Sequence, residues 1–401
     1  MSAPAARLPA ARPAPPREGG LMCVVGARPN FMKAAPLLAA FAEGPTPLPC
    51  SLVHTGQHYD AAMKEAFFRQ LAIPEPDVDL GVGSGSHAWQ TAEIMRRFEP
   101  VLAAQRPQLL IVVGDVNSTL ACALVAAKLG VPVAHVEAGL RSFDRAMPEE
   151  INRVLTDQLS ELLFVTEPSA RENLLREGVA PWRIHFVGNV MIDTLRAHEA
   201  RAVPAADTLA RLAPRAVRRA AEHGYALLTL HRPSNVDRPE VLRGILEAVA
   251  VLARRLPVVF PVHPRTRAAL ARLGLEDDLA AAGVALTGPL GYLETLGLMR
   301  EARLVLTDSG GMQEETTALG VPCLTLREST ERPVTLTHGT NTLVGTDPAR
   351  IRAAAGQALS GARPAARMPE LWDGQAARRI RAVLERWLRD RGALRRCAAG
   401  A

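Results

Sequence analysis

Three carboxylates stand where an α/β chain places reactive groups, at or just past short apolar runs. Asp115 follows Leu109–Val113 and Gly114, Glu137 follows Val131–Val136, and Glu149 opens the helical pattern Pro148-Glu149-Glu150-Ile151-Asn152-Arg153. An Asp at a strand end is either a helix cap or an active-site carboxylate. Glu137 is costly to bury unless it has a partner or a task. Glu149 and Arg153 share one helical face and, alone, amount to a surface ion pair. Three carboxylates on loops from one sheet edge suggest general acid/base chemistry. Two histidines, His231 after Ala226–Leu230 and His263 after Val258–Val262, each have an arginine close by (Arg232, Arg265). A single histidine there would read as structural; the repetition reads as anion recognition.

The anion has a candidate cradle. Leu304–Thr307 runs into Asp308-Ser309-Gly310-Gly311-Met312-Gln313-Glu314-Glu315. Glycines let backbone N–H groups approach a phosphate, and a helix N-terminus favours it electrostatically. A carboxylate one turn into that helix reaches ribose hydroxyls of the same nucleotide. The bland alternative is a βα turn capped by Ser309. Likewise Gly26-Ala27-Arg28-Pro29-Asn30-Phe31-Met32-Lys33 offers Arg28 and Lys33 either to a diphosphate or to solvent. No Cys-x-x-Cys or His-Glu-x-x-His spacing occurs, so no metal is expected. The glycines of Leu80–His87 lack the Rossmann spacing and read as a mobile loop.

These groups need elements to hold them. Apolar strands alternate with amphipathic helices throughout, which implies α/β architecture with mainly parallel sheets. One series includes Leu21–Val25, Leu109–Val113, the helix Ser118–Leu129 and Val131–Val136. The other includes Ala226–Leu230, Val258–Val262, Leu304–Thr307 and Pro322–Leu326. Two series imply two doubly wound domains facing one cleft, with ligands at the carboxyl ends of strands. The boundary is expected near residues 190–205, since Thr194–Leu212 turns irregular and rich in Ala and Arg.

Composition narrows the class. The 401 residues are 48% hydrophobic and 22% charged, enough for ordinary cores. No apolar run approaches the roughly 20 residues that span a bilayer. Residues 1–20, rich in Ala, Pro and Arg, read as a disordered extension and not a secretory signal. Cys23, Cys50, Cys122, Cys323 and Cys397 are widely spaced, as reduced thiols in a cytoplasmic protein would be. The formal charge of +6 is scattered. The basic stretch from Arg378 to Arg396 follows helical spacing around Ile380, Val383, Leu384 and Trp387, as a docking helix would. No nucleic-acid-binding pattern is present.

In order along the chain come Gly-Ala-Arg-Pro-Asn-Phe-Met-Lys (26–33), Thr-Gly-Gln-His-Tyr-Asp (55–60), Gly-Asp-Val-Asn-Ser (114–118) and His-Val-Glu-Ala-Gly-Leu-Arg (135–141). Then follow Pro-Glu-Glu-Ile-Asn-Arg (148–153), His-Arg-Pro-Ser-Asn (231–235), Thr-Asp-Ser-Gly-Gly-Met-Gln-Glu-Glu (307–315) and Thr-Glu-Arg-Pro (330–333). This ordered set resembles the non-hydrolysing UDP-N-acetylglucosamine 2-epimerase family from about Met22 to Trp387. The resemblance implies a GT-B fold of two Rossmann-like domains. Residues 21–193 would carry the sugar chemistry and 194–372 would bind UDP, with a helix over 373–396 returning to the first domain.

The resemblance also implies a reaction that needs no cofactor. UDP is eliminated across C1–C2 to leave a glycal, and it adds back after C2 is protonated from the opposite face. Asp115, Glu137, Glu149 and His231 match the family's catalytic residues. Arg28, Lys33, Arg153, His263, Ser309, Gly310, Gly311, Glu315 and Arg332 match its UDP-sugar contacts. A cytoplasmic homodimer with no nucleic-acid or membrane partner is implied. Two departures stand out. Gln57-His58-Tyr59-Asp60 replaces the Gln-His-x-Gln of members activated by a second UDP-sugar. Asn30 and the His231–Asn235 loop also resemble members acting on UDP-diacetamido-uronic acids, whose carboxylate Arg265 could meet. A GT-B glycosyltransferase is the alternative of another class.

Overall fold

The computed structural model describes residues 19–57, 68–212, 219–220, 222–361 and 367–399, without the side chains of Arg28 and residues 392–399. Residues 1–18 of the expected extension, and His58, Tyr59 and Asp60 of the Gln57–Asp60 motif, lie outside the described residues. The chain divides into two compact units. One is drawn from Met1–Gly139, Arg145–Phe164 and Leu174–His185, the other from Leu140–Asp144, Val165–Asn173 and Phe186–Ala401.

In the first unit, strands β1 (Leu21–Val25), β2 (Cys50–His54), β3 (Val78–Asp79), β4 (Leu109–Val113), β5 (Val133–Ala138), β6 (Leu162–Val165) and β7 (Ile184–Phe186) form a seven-stranded sheet. Its order is β3-β2-β1-β4-β5-β6-β7. β1, β4 and β5 are buried along their whole length, which is why the first two read as unbroken apolar runs. Helices α1 (Arg28–Ala42), α2 (His87–Gln105), α3 (Asn117–Lys128) and α4 (Pro148–Leu159) follow strands. α3 packs against both α2 and α4. Its Ala121, Cys122, Ala123 and Ala126 are fully buried, small enough to let three helices lie close. Ile94, Phe98 and Leu102 of α2 meet Met22, Val24, Leu110 and Val112 of the sheet in one core.

Two expectations change here. β5 extends to Ala138, so Glu137 lies inside the strand and not after it. The Leu80–His87 segment is pinned in place. Leu80, Val82 and Gly83 donate their N–H groups to the carbonyls of His54, Thr55 and Gly56 at 2.8, 3.0 and 2.8 Å, and Arg97 Nη1 donates to the carbonyls of Leu80 and Gly81. Backbone bonds hold a stretch whose glycines hide any strand signal.

The second unit repeats the plan. β8 (Ala226–Thr229), β9 (Val258–Pro261), β10 (Val284–Thr287), β11 (Leu304–Thr307), β12 (Cys323–Thr325) and β13 (Asn341–Leu343) form a sheet of order β10-β9-β8-β11-β12-β13. Its helices include α5 (Val190–His198), α6 (Pro239–Ala253), α7 (Pro264–Leu273), α8 (Tyr292–Glu301), α9 (Gly310–Leu319), α10 (Pro348–Ser360) and α11 (Ala376–Ala399). Leu242, Ile245, Leu246 and Val249 of α6 share a core with Phe260, Leu306 and Ile351. In both sheets the order reverses beside the first strand, between β1 and β4 and between β8 and β11. Such reversals open a crevice at the carboxyl ends of strands.

Residues far apart in sequence secure α11. Asp193 on α5 accepts hydrogen bonds from the N–H groups of Ala376 and Ala377 at 3.1 and 2.7 Å. Buried Trp372 donates its indole N–H to the Thr166 carbonyl at 3.0 Å. Among the described residues no helix is long and apolar enough to cross a membrane, and Cys23, Cys50, Cys122 and Cys323 are free.

Asp193→Ala leaves two helix N-terminal donors without this acceptor. It should cost about 1–2 kcal/mol, measured as a lowered urea midpoint. An unchanged midpoint would show that α11 does not depend on this cap.

Candidate active site

Around the end of β4 the first unit gathers several buried charged groups. Gly114 has φ 67, a left-handed backbone. A Cβ there would lie 2.7 Å from Lys33 Nζ, so glycine is required twice, by conformation and by space. Lys33, from α1, places Nζ 2.5 Å from Glu137 Oε2, with both side chains buried. Glu137 itself has φ 72. A non-glycine residue held there stores strain that surrounding contacts must sustain, a pattern concentrated at functional sites.

Those contacts are visible. His135, two residues before Glu137, is fully buried. It spans Asp157 Oδ1 at 2.6 Å through Nδ1 and the Gly114 carbonyl at 2.7 Å through Nε2. Asp157 Oδ2 accepts from the Gly139 N–H at 3.0 Å. One histidine–aspartate pair thus ties β5 to α4 and to the turn that presents Asp115. The motif containing His135 was quoted from the sequence without a role for this residue; its partner on the next helix gave no signal at all.

Asp115 extends from that turn. Its Oδ2 lies 2.6 Å from Arg153 Nη1, and its carbonyl accepts from Asn152 Nδ2 at 2.8 Å. Arg153 is 1% exposed and also donates to Glu150 Oε2 through Nε and Nη2 at 3.2 and 2.7 Å. The simple Glu149–Arg153 surface pair is therefore not formed. Arg153 points inward, where Glu150 is buried, and Glu149 remains half-buried with no ion pair among the described residues. Arg28 is the first residue of α1, and its side chain lies outside the described residues. Asn30 is committed to the backbone: Oδ1 accepts from Gly26 and Ala27, and Nδ2 donates to the Val113 carbonyl.

In the second unit the focus is Asp308, one residue past β11 and fully buried. Its carboxylate accepts from the N–H groups of His231 and Arg232 and from Asn235 Nδ2. It also lies 2.8 Å from His231 Nδ1. Burial alone would raise its carboxyl, but the His231 ring and these hydrogen bonds hold it below the usual range. Parallel register explains the meeting: Thr229 sits opposite Thr307, so the residues after each strand emerge side by side. Nothing in the sequence sets Asp308 apart from the turn it belongs to, because a polar residue leaving a strand looks like a turn former. His263 caps α7, its Nδ1 accepting from the Arg265 N–H at 3.3 Å. Its ring centroid is 6.0 Å from that of His231. Arg265 forms a two-pronged pair with Asp237 at 2.9 and 2.6 Å.

The Ser309-Gly310-Gly311 turn opens α9 as expected, with Ser309 at the N-cap position but making no side-chain cap bond. The ordinary Ser-capped turn is thus not what is found. Arg332 packs against it: a Cβ on Gly310 would lie 2.5 Å from Arg332 Nη1. Arg332 is buried between Glu314, at 2.7 Å from Nε, and Glu331, and Arg327 holds the other oxygen of Glu331 at 2.7 Å. Glu167 lies near the same cluster. Burial pushes its carboxyl up to about 7, reinforced by Glu314 and opposed by a Ser169 hydrogen bond and Arg332. Glu315 is buried on α9 and accepts from the Tyr292 hydroxyl at 3.0 Å. Burial pushes it up to about 8, the Tyr292 bond lowering and Glu314 raising it.

The Glu315 shift has a stability consequence with a definite sign. Unfolded, the carboxyl titrates near the ordinary glutamate value of 4.5; folded, it keeps its proton to about 8. Between those values the folded state binds more protons, so stability contributed by this group falls as pH rises. Glu315→Gln, which keeps the Tyr292 acceptor, should raise the melting temperature at pH 8.5 and change it little at pH 4.5. Equal effects at both pH values would place the group's titration elsewhere.

Known proteins resemble this chain in sequence and in fold. The family model described as UDP-N-acetylglucosamine 2-epimerase matches residues 43–385. The chain is 41% identical to the UDP-N-acetylglucosamine 2-epimerase of Methanococcus maripaludis, over 82% of this chain and 88% of that one. It is 44% identical to the UDP-2,3-diacetamido-2,3-dideoxy-D-glucuronate 2-epimerase of Pseudomonas aeruginosa, over 81% and 88%. The crystal structure of the Methanocaldococcus jannaschii UDP-GlcNAc 2-epimerase, in complex with UDP-GlcNAc and UDP, superposes with a TM-score of 0.81 at 39% identity. That superposition covers 91% of this chain and 99% of that one. The two doubly wound sheets are of the GT-B type.

Proposed function

The chain belongs to the UDP-N-acetylglucosamine 2-epimerase family, and we propose that it interconverts UDP-N-acetylglucosamine and UDP-N-acetylmannosamine by eliminating and re-adding UDP. The observation that carries this reading is the β4 end, where one turn carries Asp115 and abuts the Lys33 of a buried pair with the strained Glu137. Base-catalysed elimination needs carboxylates held at fixed positions, and Arg153 holds Asp115 while Lys33 holds Glu137.

The chemistry balances with two proton-handling groups. One takes the C2 proton, the C–H electrons form the C1–C2 double bond, and the C1–O bond breaks to release UDP. A second group then protonates C2 from the opposite face as a diphosphate oxygen re-forms the bond to C1. One group has gained a proton and the other has lost one, so a proton returns between them before the next turnover. Asp115, Glu137 and Glu149 supply these groups, with His231 as the fourth catalytic residue. Arg28, Lys33, His231, Ser309 and the N–H groups of Gly310 and Gly311 meet the diphosphate as charge grows on it. Glu315 takes the ribose, whose hydroxyls favour the ionised carboxylate by donating to it. Arg153, His263 and Arg332 complete the substrate contacts. Residues 21–193 handle the sugar and 194–372 the nucleotide. No hydride moves, so no nicotinamide is called for. A cytoplasmic homodimer is the working state.

The 44% identity to the Pseudomonas enzyme favours a second substrate, the diacetamido-uronate, for the same steps. Neither Asn30 nor Arg265 supports it, since the first is bonded to backbone and the second to Asp237.

Proton NMR of UDP-N-acetylglucosamine with the protein in deuterated water should show the manno epimer with deuterium at C2. Turnover only with the diacetamido-uronate would reassign the substrate, and no exchange with either sugar would end the epimerase reading. Asp115→Asn and Glu149→Gln should each cut turnover on the order of 10²–10⁴-fold with UDP affinity kept. Glu315→Ala should instead weaken UDP binding in calorimetry. The reverse pattern would exchange the catalytic and binding roles.

A further inference from the structure

We propose that Asp308 is a positioning residue for His231, fixing which imidazole nitrogen carries the proton and aiming the other at the departing diphosphate. The inference rests on His231 being a catalytic residue, as read above.

Three features of the Asp308–His231 pair bear on it. First, the Asp308 carboxylate is fully buried, so solvent reaches the 2.8 Å contact with His231 Nδ1 only from the ring side. Second, the ring it holds is not buried: the His231 side chain is 42% exposed. With Nδ1 on the carboxylate, Nε2 is the nitrogen left for a ligand. Third, the carboxylate holds the ring's own backbone as well. The N–H of His231 lies 3.0 Å from Oδ2, that of Arg232 2.9 Å, and Asn235 Nδ2 3.2 Å. Ring and loop are therefore referred to one rigid point at the end of β11.

The protonation follows from the partners. An ionised carboxylate only accepts, so Nδ1 must donate, and the neutral ring has its lone pair on Nε2. A ring carrying a second proton donates from both nitrogens, Nδ1–H to Asp308 and Nε2–H outward. In that form the buried carboxylate offsets the imidazolium charge while Nε2–H meets a diphosphate oxygen. The Asp308 backbone also precedes Ser309, so the residue that orients the histidine belongs to the turn that receives the phosphates. The competing explanation is a purely structural anchor for residues 231–235. It requires the loop bonds and is indifferent to the tautomer.

The test reads the tautomer and the kinetics together. Long-range proton–nitrogen correlation spectra of the ¹⁵N-histidine-labelled full chain should show His231 protonated at Nδ1 in the ligand-free protein. Asp308→Asn should lose that preference and lower kcat on the order of 10²-fold or more, while UDP affinity in calorimetry stays within about threefold. Asn235→Ala, which removes the Asn235 bonds to Asp308 and to the Leu326 carbonyl and leaves the ring pair intact, should keep kcat near the parent value. A native His231 protonated at Nε2 alone overturns the proposal, and that measurement stands even if Asp308→Asn does not fold. Equal losses of kcat and of UDP affinity in Asp308→Asn, matched by Asn235→Ala, would reduce Asp308 to an anchor. Full turnover by His231→Gln would sink the catalytic reading of His231 instead, leaving the tautomer result as it is.

Discussion

A parallel sheet whose order reverses beside its first strand cannot close over that point, and both sheets of this protein are built that way. Successive strands go to one side, β1 to β3 and β8 to β10, and the chain then returns to the other side with β4 and β11. The connections that leave β1 and β4 therefore diverge, as do those that leave β8 and β11. Each gap is lined by strand-end loops with N–H groups, carbonyls and side chains that the sheet cannot satisfy. The Gly114-Asp115 turn and the Asp308–Gly310 turn are the answers the two halves give. The Asp115–Arg153 and Asp308–His231 pairs start from them.

Burial of charge on this scale needs pairing. Lys33 has Glu137, Arg153 has Glu150 and Asp115, His135 has Asp157, and Arg332 has Glu314 and Glu331. Desolvating such pairs usually offsets much of their attraction, so they contribute position more than stability. Removing one member is the damaging change, because the other is left charged in a dry place. The histidine–aspartate pairs make the same point twice: one lies wholly inside and locks a turn, the other leaves a ring edge to solvent.

Much of this was legible in the sequence. Unbroken apolar runs such as Leu109–Val113 can only be strands covered on both faces, and the Ser309-Gly310-Gly311 turn was found where it was expected. What was not legible depends on distance. Asp157 and Glu150 look like ordinary polar residues of a surface helix until the sheet brings His135 and Arg153 against them. Asp308 looks like a turn former until the register of β8 against β11 sets His231 beside it. Glu137 read as a residue after a strand, because a period-2 pattern says nothing about φ. The Leu80–His87 segment looked mobile because glycines carry no side chains to show that their backbone is bonded.

The φ of 72 at Glu137 sets two demands that no single residue type meets. Glycine would relax the backbone and abolish the anion beside Lys33; glutamate keeps the anion and leaves the backbone under tension. The position is thus a trade between a relaxed backbone and a buried anion, decided for the anion, and the remainder of the molecule must hold stability in reserve to sustain it.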